Sequence, residues 1–302
     1  METSFLAYLR GRCRTLPEVE VGIGDDAAVL APVQGRQVIC ADQIIDGVDF
    51  DAAGQSLADI GYKAMAINLS DIAAMGAVPD AAFVTLALPK DDATQTAGAV
   101  YEGILESAAR HQVSIAGGDL SVYDGPLSIN ITMTGHVAAG EPWLRSGACE
   151  GDAIVVSGAF GGSILGRHLR PISRLSMAAT LRRLVDVHAA IDASDGLSLD
   201  LDRMLAASRV GAELDIDQIP IHDDAHRQSK QSGRSAFEHA WSDGEDFELI
   251  MTMSADDAQK AVDDPEIGKD LRRIGTVVGR TGLWKRDKGS LKRLSPQGYL
   301  HG

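Results

Sequence analysis

Seven aspartates recur in one kind of setting, closing an apolar segment beside small residues. Asp25 and Asp26 lie in "VGIGDDAAVL", Asp42 in "VICADQII" and Asp71 in "AINLSDIAAMGA". Asp119 lies in "IAGGDL", and Asp192 and Asp195 in "AIDASDGL". Adjacent carboxylates repel, and burying one is costly unless it is paired or bound to a metal. Each aspartate alone reads as a turn or helix-cap residue. Together they form the hard oxygen environment that Mg²⁺ uses, completed by waters and substrate phosphates. Several such groups point to several metal ions around a polyphosphate.

The common nucleotide and hydrolase signatures are missing. No G-x-x-x-x-G-K-[ST] occurs, and "IGKD" (267–270) lacks the upstream glycine and the hydroxyl residue. "GIGDDA" does not complete G-x-G-x-x-G, and neither H-E-x-x-H nor G-x-S-x-G is present. A phosphate site would therefore rest on metal ions and on the backbone N–H groups of "AGGD" (116–119) and "AFGGS" (159–163), as in an anion nest. Gly22 and Gly24 let the chain turn at the first aspartate pair. Asp25 is expected to face metal, with Asp26 orienting the loop or supporting a second ion.

The elements that must position these residues alternate between strand and helix. Residues 37–45 read as a strand and 56–77 as a helix, with Ser56 and Asp59 at capping-box spacing and Gly76 and Pro79 as the stop. A strand is expected over 81–88, a helix over 92–111 and a short strand over 113–119. In 127–137, Leu127, Ile129, Ile131 and Met133 face one way. Residues 138–152 carry glycines, a proline and charges, and read as a connection between domains at 1–138 and 147–302. Strands over 153–158, 212–217 and 246–253 and a helix over 197–208 follow. Residues 222–236 read as a polar surface loop with some helix.

Composition narrows the class. The 302 residues carry a formal net charge of −15 and are 45% hydrophobic. That balance allows a sizeable aliphatic core and argues against electrostatic binding to nucleic acid. Cys13, Cys40 and Cys149 show no C-x-x-C spacing, which fits a reducing, cytoplasmic compartment. No signal-peptide pattern or membrane span is expected. Cys40 is read as a small packed residue, and His222, His226 and His239 as surface histidines.

The blocks "GIGDDAAVL", "DGVDF", "GYKAMAINLSDIAAMGAVP", "LALP", "GGD", "RSGACEGD", "IDASDGLSLDL" and "GEDFEL" occur in order through most of the chain. In content and spacing they resemble the thiamine-monophosphate kinase family. Its superfamily also holds aminoimidazole ribonucleotide synthetase, selenophosphate synthetase and a hydrogenase maturation protein. The resemblance implies a two-domain α/β (α+β) fold, with the N-terminal sheet pairing across a homodimer and ATP in a cleft between domains. It implies Mg²⁺ at Asp25, Asp42, Asp71, Asp119, Asp192 and Asp195, with Asp25, Asp71 and Asp195 catalytic. Gly118, Asp119, Arg145 and Ser194 would contact nucleotide, and Asp49, Glu245 and Tyr299 the acceptor.

The implied reaction is phosphoryl transfer from ATP to thiamine monophosphate. Three departures bear on the acceptor: Cys40-Ala41 and Leu120-Ser121 each replace the family's Thr-Thr, and Asp49 replaces a histidine. Two alternatives therefore stay open: an ATP-dependent enzyme of the superfamily with another phosphate or carboxylate acceptor, and an inactive nucleotide-binding paralogue.

Overall fold

The computed structural model describes residues 2–300. The chain divides into two units, Met1–Ile72 with Ala77–Pro142, and Ala73–Gly76 with Trp143–Gly302. The first contains, in order, α1 (Glu2–Arg12), β1 (Val19–Val21), β2 (Val29–Leu30), β3 (Arg36–Ile45), α2 (Leu57–Ala74), β4 (Val78–Pro89), α3 (Ala93–His111), β5 (Ser114–Tyr123) and β6 (Ser128–Val137).

Four of these strands form one sheet in the order β3-β6-β4-β5. The β4-α3-β5 passage is a crossover, so β4 and β5 run parallel, whereas β6 pairs antiparallel with β3 and β4. Ile129, Ile131 and Met133 are fully buried, as their alternation predicts. Helices α2 and α3 meet backbone to backbone: a Cβ on Gly103 would stand 1.7 Å from the Ala58 carbonyl oxygen, and one on Gly61 2.0 Å from that of Val100. Only glycine permits that approach.

The second unit contains β7 (Ala153–Ser157), α4 (Leu175–Leu184), β8 (Val187–Asp192), α5 (Leu197–Ser208), β9 (Gly211–Leu214), α6 (Asp223–Ser232), α7 (Ala236–Ser242), β10 (Leu249–Met253), α8 (Ala255–Asp263), β11 (Leu271–Val278), β12 (Gly282–Asp287) and β13 (Ser290–Leu294). Its seven-stranded mixed sheet has the order β13-β12-β9-β11-β7-β10-β8. Strands β7 and β10 are buried along their whole length. Ile154, Val156 and Ile250 enter one core cluster, and Ala153, Val155 and Met251 another. Both faces are thus covered, which explains the continuous apolar runs of these strands.

Three expectations need correction. Strand β5 does not stop at its glycines but runs through them to Tyr123, because β4 pairs with it as far as Pro89. Residues 222–236 are mostly helix: His222 caps α6, and Ser235 and Glu238 form a capping box on α7. The strand expected over 246–253 begins only at Leu249, because residues 243–248 form an irregular segment with Glu245 and Phe247 at positive φ.

Candidate active site

In the first unit, the loop after β1 and the glycine stretch of β5 line one cavity of about 660 Å³. Asp25, Asp26, Gly118 and Asp119 all border it. Asp25 and Asp26 are exposed, so their adjacency carries no burial cost. It is Asp25 that orders the loop, its Oδ1 accepting the Asp26 N–H at 3.0 Å. Gly118 adopts φ 150°, and a Cβ there would stand 1.8 Å from the Val84 carbonyl oxygen. Glycine at this position brings the β5 backbone close to β4 while leaving the cavity side open.

Asp42 and Asp71 lie away from this cavity, on β3 and α2. Asp42 sits on β3 and pairs with Ile131, which pairs with Val84 and then Gly118. Asp119 lies in the next row, with Thr85, Asn130 and Gln43. Asp42 thus shares the buried face of Ile131, whereas Asp119 shares the face of exposed Thr85. The two occupy opposite edges, three strand spacings or about 14 Å apart. They cannot hold the same ion within one copy of the sheet.

Asp42 belongs instead with α2. Cys40, two residues before it, has its Sγ 3.5 Å from Asn68 Oδ1, and Asp71 follows Asn68 by one turn. Cys40 is the packed residue expected, half-buried against this helix. Asp42 Oδ2 is buried with no hydrogen-bond partner among the described residues, and burial raises the carboxyl's pKa. An orphaned buried carboxylate oxygen fits a cation site.

The second unit assembles Asp192, Ser194, Asp195, Glu245 and Tyr299. Asp192 ends β8 opposite Leu249 of β10, and this pairing continues irregularly beyond the strands. Phe247 N–H donates to Ala193 O at 2.9 Å, and Glu245 N–H to Ser194 O at 2.7 Å. Tyr299 N–H donates to Asp195 O at 2.9 Å, which lays the C-terminal segment along the same loop. Arg145 is exposed on the loop before β7, where its carbonyl oxygen accepts from Ser208 Oγ at 3.2 Å.

Sequence reasoning missed Asp200 and Arg203. Asp200 Oδ2 accepts the backbone N–H groups of Asp195 and Gly196 at 2.8 and 3.1 Å. Burial pushes its carboxyl up to about 6, against the pull of those N–H groups and of Arg203. Arg203 pairs with both Asp195 and Asp200, so Asp195 already has a cationic partner. The available signal was the i, i+3 spacing of Asp200 and Arg203 on α5.

The "AFGGS" turn is not an open phosphate nest. Gly161 N–H donates to Asp246 Oδ2 at 2.9 Å, and Gly162 N–H to Asp243 Oδ2 at 3.3 Å. Carboxylates of the "SDGEDFEL" stretch have taken the place expected for phosphate. Asp246 is buried, which pushes its carboxyl up to about 7 despite Arg167 at 3.0 Å. His239 is not on the surface either. It is buried, with Nδ1 2.8 Å from Asp243 Oδ2 and Nε2 2.7 Å from Ser232 Oγ. Asp49 turns its carboxylate inward, Oδ2 accepting the Ile45 N–H at 2.8 Å.

Comparison with known proteins places this geometry in a family. Residues 24–137 match the AIR synthase related protein N-terminal domain, and residues 162–284 the corresponding C-terminal domain. The thiamine-monophosphate kinase of Rhodopirellula baltica is 61% identical over 100% of this chain and 98% of its own length. The solved structure of AaThiL complexed with AMPPCP and TMP aligns with a TM-score of 0.79 at 25% identity, covering 93% of this chain and 92% of that one. The thiamine-monophosphate kinase structure from Stenotrophomonas maltophilia K279a aligns with a TM-score of 0.77 at 32% identity, covering 94% and 96%. The chain belongs to the thiamine-monophosphate kinase family, built from the two AIR synthase related domains.

Proposed function

We propose that this chain transfers a phosphoryl group from ATP to thiamine monophosphate, with Mg²⁺ held by separate groups of aspartates. The observation that carries the reaction is the 61% identity to a thiamine-monophosphate kinase along the entire chain. The acceptor is a phosphate monoester whose oxygen is already nucleophilic, so no strong general base is required. The obstacle is repulsion between two anionic phosphates, and catalysis becomes positioning and charge neutralisation. Bound Mg²⁺ supplies that neutralisation and aligns the reacting oxygens.

The residues divide the work. Asp42 and Asp71 form one Mg²⁺ group, supported by the orphaned Oδ2 of Asp42. Asp25 and Asp119 form another at the cavity, where the exposed Gly118 backbone receives phosphate. Asp192 and Asp195 supply the third, with Arg203 balancing Asp195. Ser194 and Arg145 are assigned to nucleotide, and Glu245 and Tyr299 to the acceptor. Asp49 supports the acceptor region by holding the turn after β3 rather than by contact.

Strands β3 and β5 are the edges of the four-stranded sheet, and their open backbone favours pairing with a second copy in a homodimer. The three free cysteines favour a cytoplasmic setting. Among the described residues no helix is long and apolar enough to cross a membrane.

Mass spectrometry of the product formed from ATP, Mg²⁺ and thiamine monophosphate tests the reading. Thiamine diphosphate should form with the wild type and disappear with Asp71→Asn. ATP binding without thiamine diphosphate would overturn the acceptor, and full activity in Asp71→Asn would overturn the metal assignment.

A further inference from the structure

A cysteine, a carboxylate and an imidazole converge in the second unit on residues that phosphoryl transfer does not use. Strand β10 separates β7 from β8, and Met253 is paired with both Ala153 and Val187. The β8 pairing shifts register between Thr252 and Met253, which leaves His188 as the extra residue of β8, close to the row where Asp152 leads into β7. Asp152 is buried, and its Oδ2 lies 2.8 Å from His188 Nδ1. The same oxygen accepts the Cys149 N–H at 2.8 Å, and Asp152 N–H returns a bond to Cys149 O at 3.0 Å. The tight turn Cys149–Asp152 is therefore fixed, with the Cys149 thiol at the surface. Ser208 Oγ secures the approach by accepting from Gly147 and Ala148 N–H, each at 3.1 Å.

One ligand atom each from Cys149, Asp152 and His188 lies within 4.8 Å of the other two. Among the described residues no other group of cysteine, histidine and acidic side chains meets that spacing. The donor set is sulfur, nitrogen and oxygen. Mg²⁺ takes oxygen ligands, whereas a borderline-soft dication takes this mixture. Bond lengths of about 2.3 Å to sulfur and about 2.0 Å to nitrogen and oxygen bring tetrahedral ligands to roughly 3.3–3.8 Å from one another. Asp152 Oδ2 and His188 Nδ1, 2.8 Å apart, would exchange their hydrogen bond for the ion and part by about 0.5 Å, while rotation of the exposed Cys149 side chain brings in the sulfur. Three protein ligands on an exposed turn leave a fourth position to water.

We propose that Cys149, Asp152 and His188 form a binding site for a transition-metal dication of the Zn²⁺ class, distinct in residues and in metal chemistry from the Mg²⁺ aspartates. Binding exchanges the Cys149 thiol proton, released to solvent, for the metal–sulfur bond. An occupied site cross-links the loop before β7 to the start of β8.

Co²⁺ titration of the whole chain, without oxygen and with excess Mg²⁺ on the all-oxygen sites, tests the assignment. A thiolate-to-cobalt charge-transfer band should grow to one Co²⁺ per chain and vanish when Zn²⁺ is added. It should be lost in Cys149→Ser and kept in Cys40→Ser. His188→Gln, which reads the site independently should Cys149→Ser not fold, should weaken binding about tenfold or more. No band, a band surviving Cys149→Ser or undiminished affinity in His188→Gln would mean that Asp152 and His188 only fasten the turn.

Discussion

Asp42→Asn preserves side-chain volume and removes one charge. In the wild type, Asp42 Oδ2 is buried without a partner, and burial raises the carboxyl's pKa above its ordinary value. A folded pKa above the unfolded one means that the native state holds the proton more tightly. Stability is then greatest below the unfolded pKa and falls as pH rises through the folded one. At neutral pH the unpaired group costs about 1–3 kcal/mol. The amide retains part of that cost, so the substitution recovers about 1 kcal/mol. At about 2.1 cal/mol/K per residue, a chain of 302 residues shifts by about 1.5 °C per kcal/mol. Without Mg²⁺, Asp42→Asn should therefore melt about 1–2 °C above the wild type at neutral pH, with the gain shrinking in acid.

Function should move the other way. Mg²⁺ and ATP together should raise the wild-type melting temperature more than that of the variant. kcat/KM should fall about 100-fold or more, the scale of losing one charge-stabilising contact at a reacting centre. Thermal melts with and without Mg²⁺ at about pH 5 and about pH 8 separate the two effects. A metal-free variant less stable than the wild type would show that the carboxylate is satisfied in the apo chain. Unchanged kcat/KM at limiting Mg²⁺ would falsify its role as a ligand.

Two further substitutions test the cavity and the turn. Gly118→Ala meets the Val84 carbonyl oxygen at 1.8 Å in a backbone conformation unfavourable for alanine, so it should destabilise by about 1–3 kcal/mol and weaken ATP binding in calorimetry. Asp49→Ala removes the acceptor of the Ile45 N–H and should cost about 1–2 kcal/mol in denaturant melts. Its KM for thiamine monophosphate should change by less than about threefold, under the 1.4 kcal/mol that a tenfold change represents. A larger KM change with intact stability would put Asp49 in contact with the acceptor.

The aspartates were legible because each closes an apolar run beside a small residue, a pattern visible without knowing any partner strand. Their grouping was not. The alternation of Ile129, Ile131 and Met133 marks which face of β6 is buried, but only pairing with β3 shows that Asp42 shares it. Asp119 lies one row further along and therefore faces the other way. Strand order, which sets Asp42 and Asp119 on opposite edges, and register, which sets their faces, together decide whether two carboxylates can meet, and no local pattern encodes either.

The second unit shows the same limit over a longer range. "AFGGS" has the composition of an anion nest, and its N–H groups do bind anions, but those anions are Asp243 and Asp246 from about eighty residues later in the chain. Glu245 and Phe247 adopt φ of 61° and 53° in the same segment, a conformation that costs on the order of 1–3 kcal/mol per residue. Two sets of contacts over-determine it. Asp243 and Asp246 hold the glycine turn, while Glu245 and Phe247 N–H groups bind the carbonyls of Ser194 and Ala193. The strained segment joins the "AFGGS" turn to the "IDASDG" loop, fixing Glu245 beside Ser194. A motif legible as a phosphate cradle therefore acts by anchoring Ser194 and Glu245, the residues proposed to meet nucleotide and acceptor.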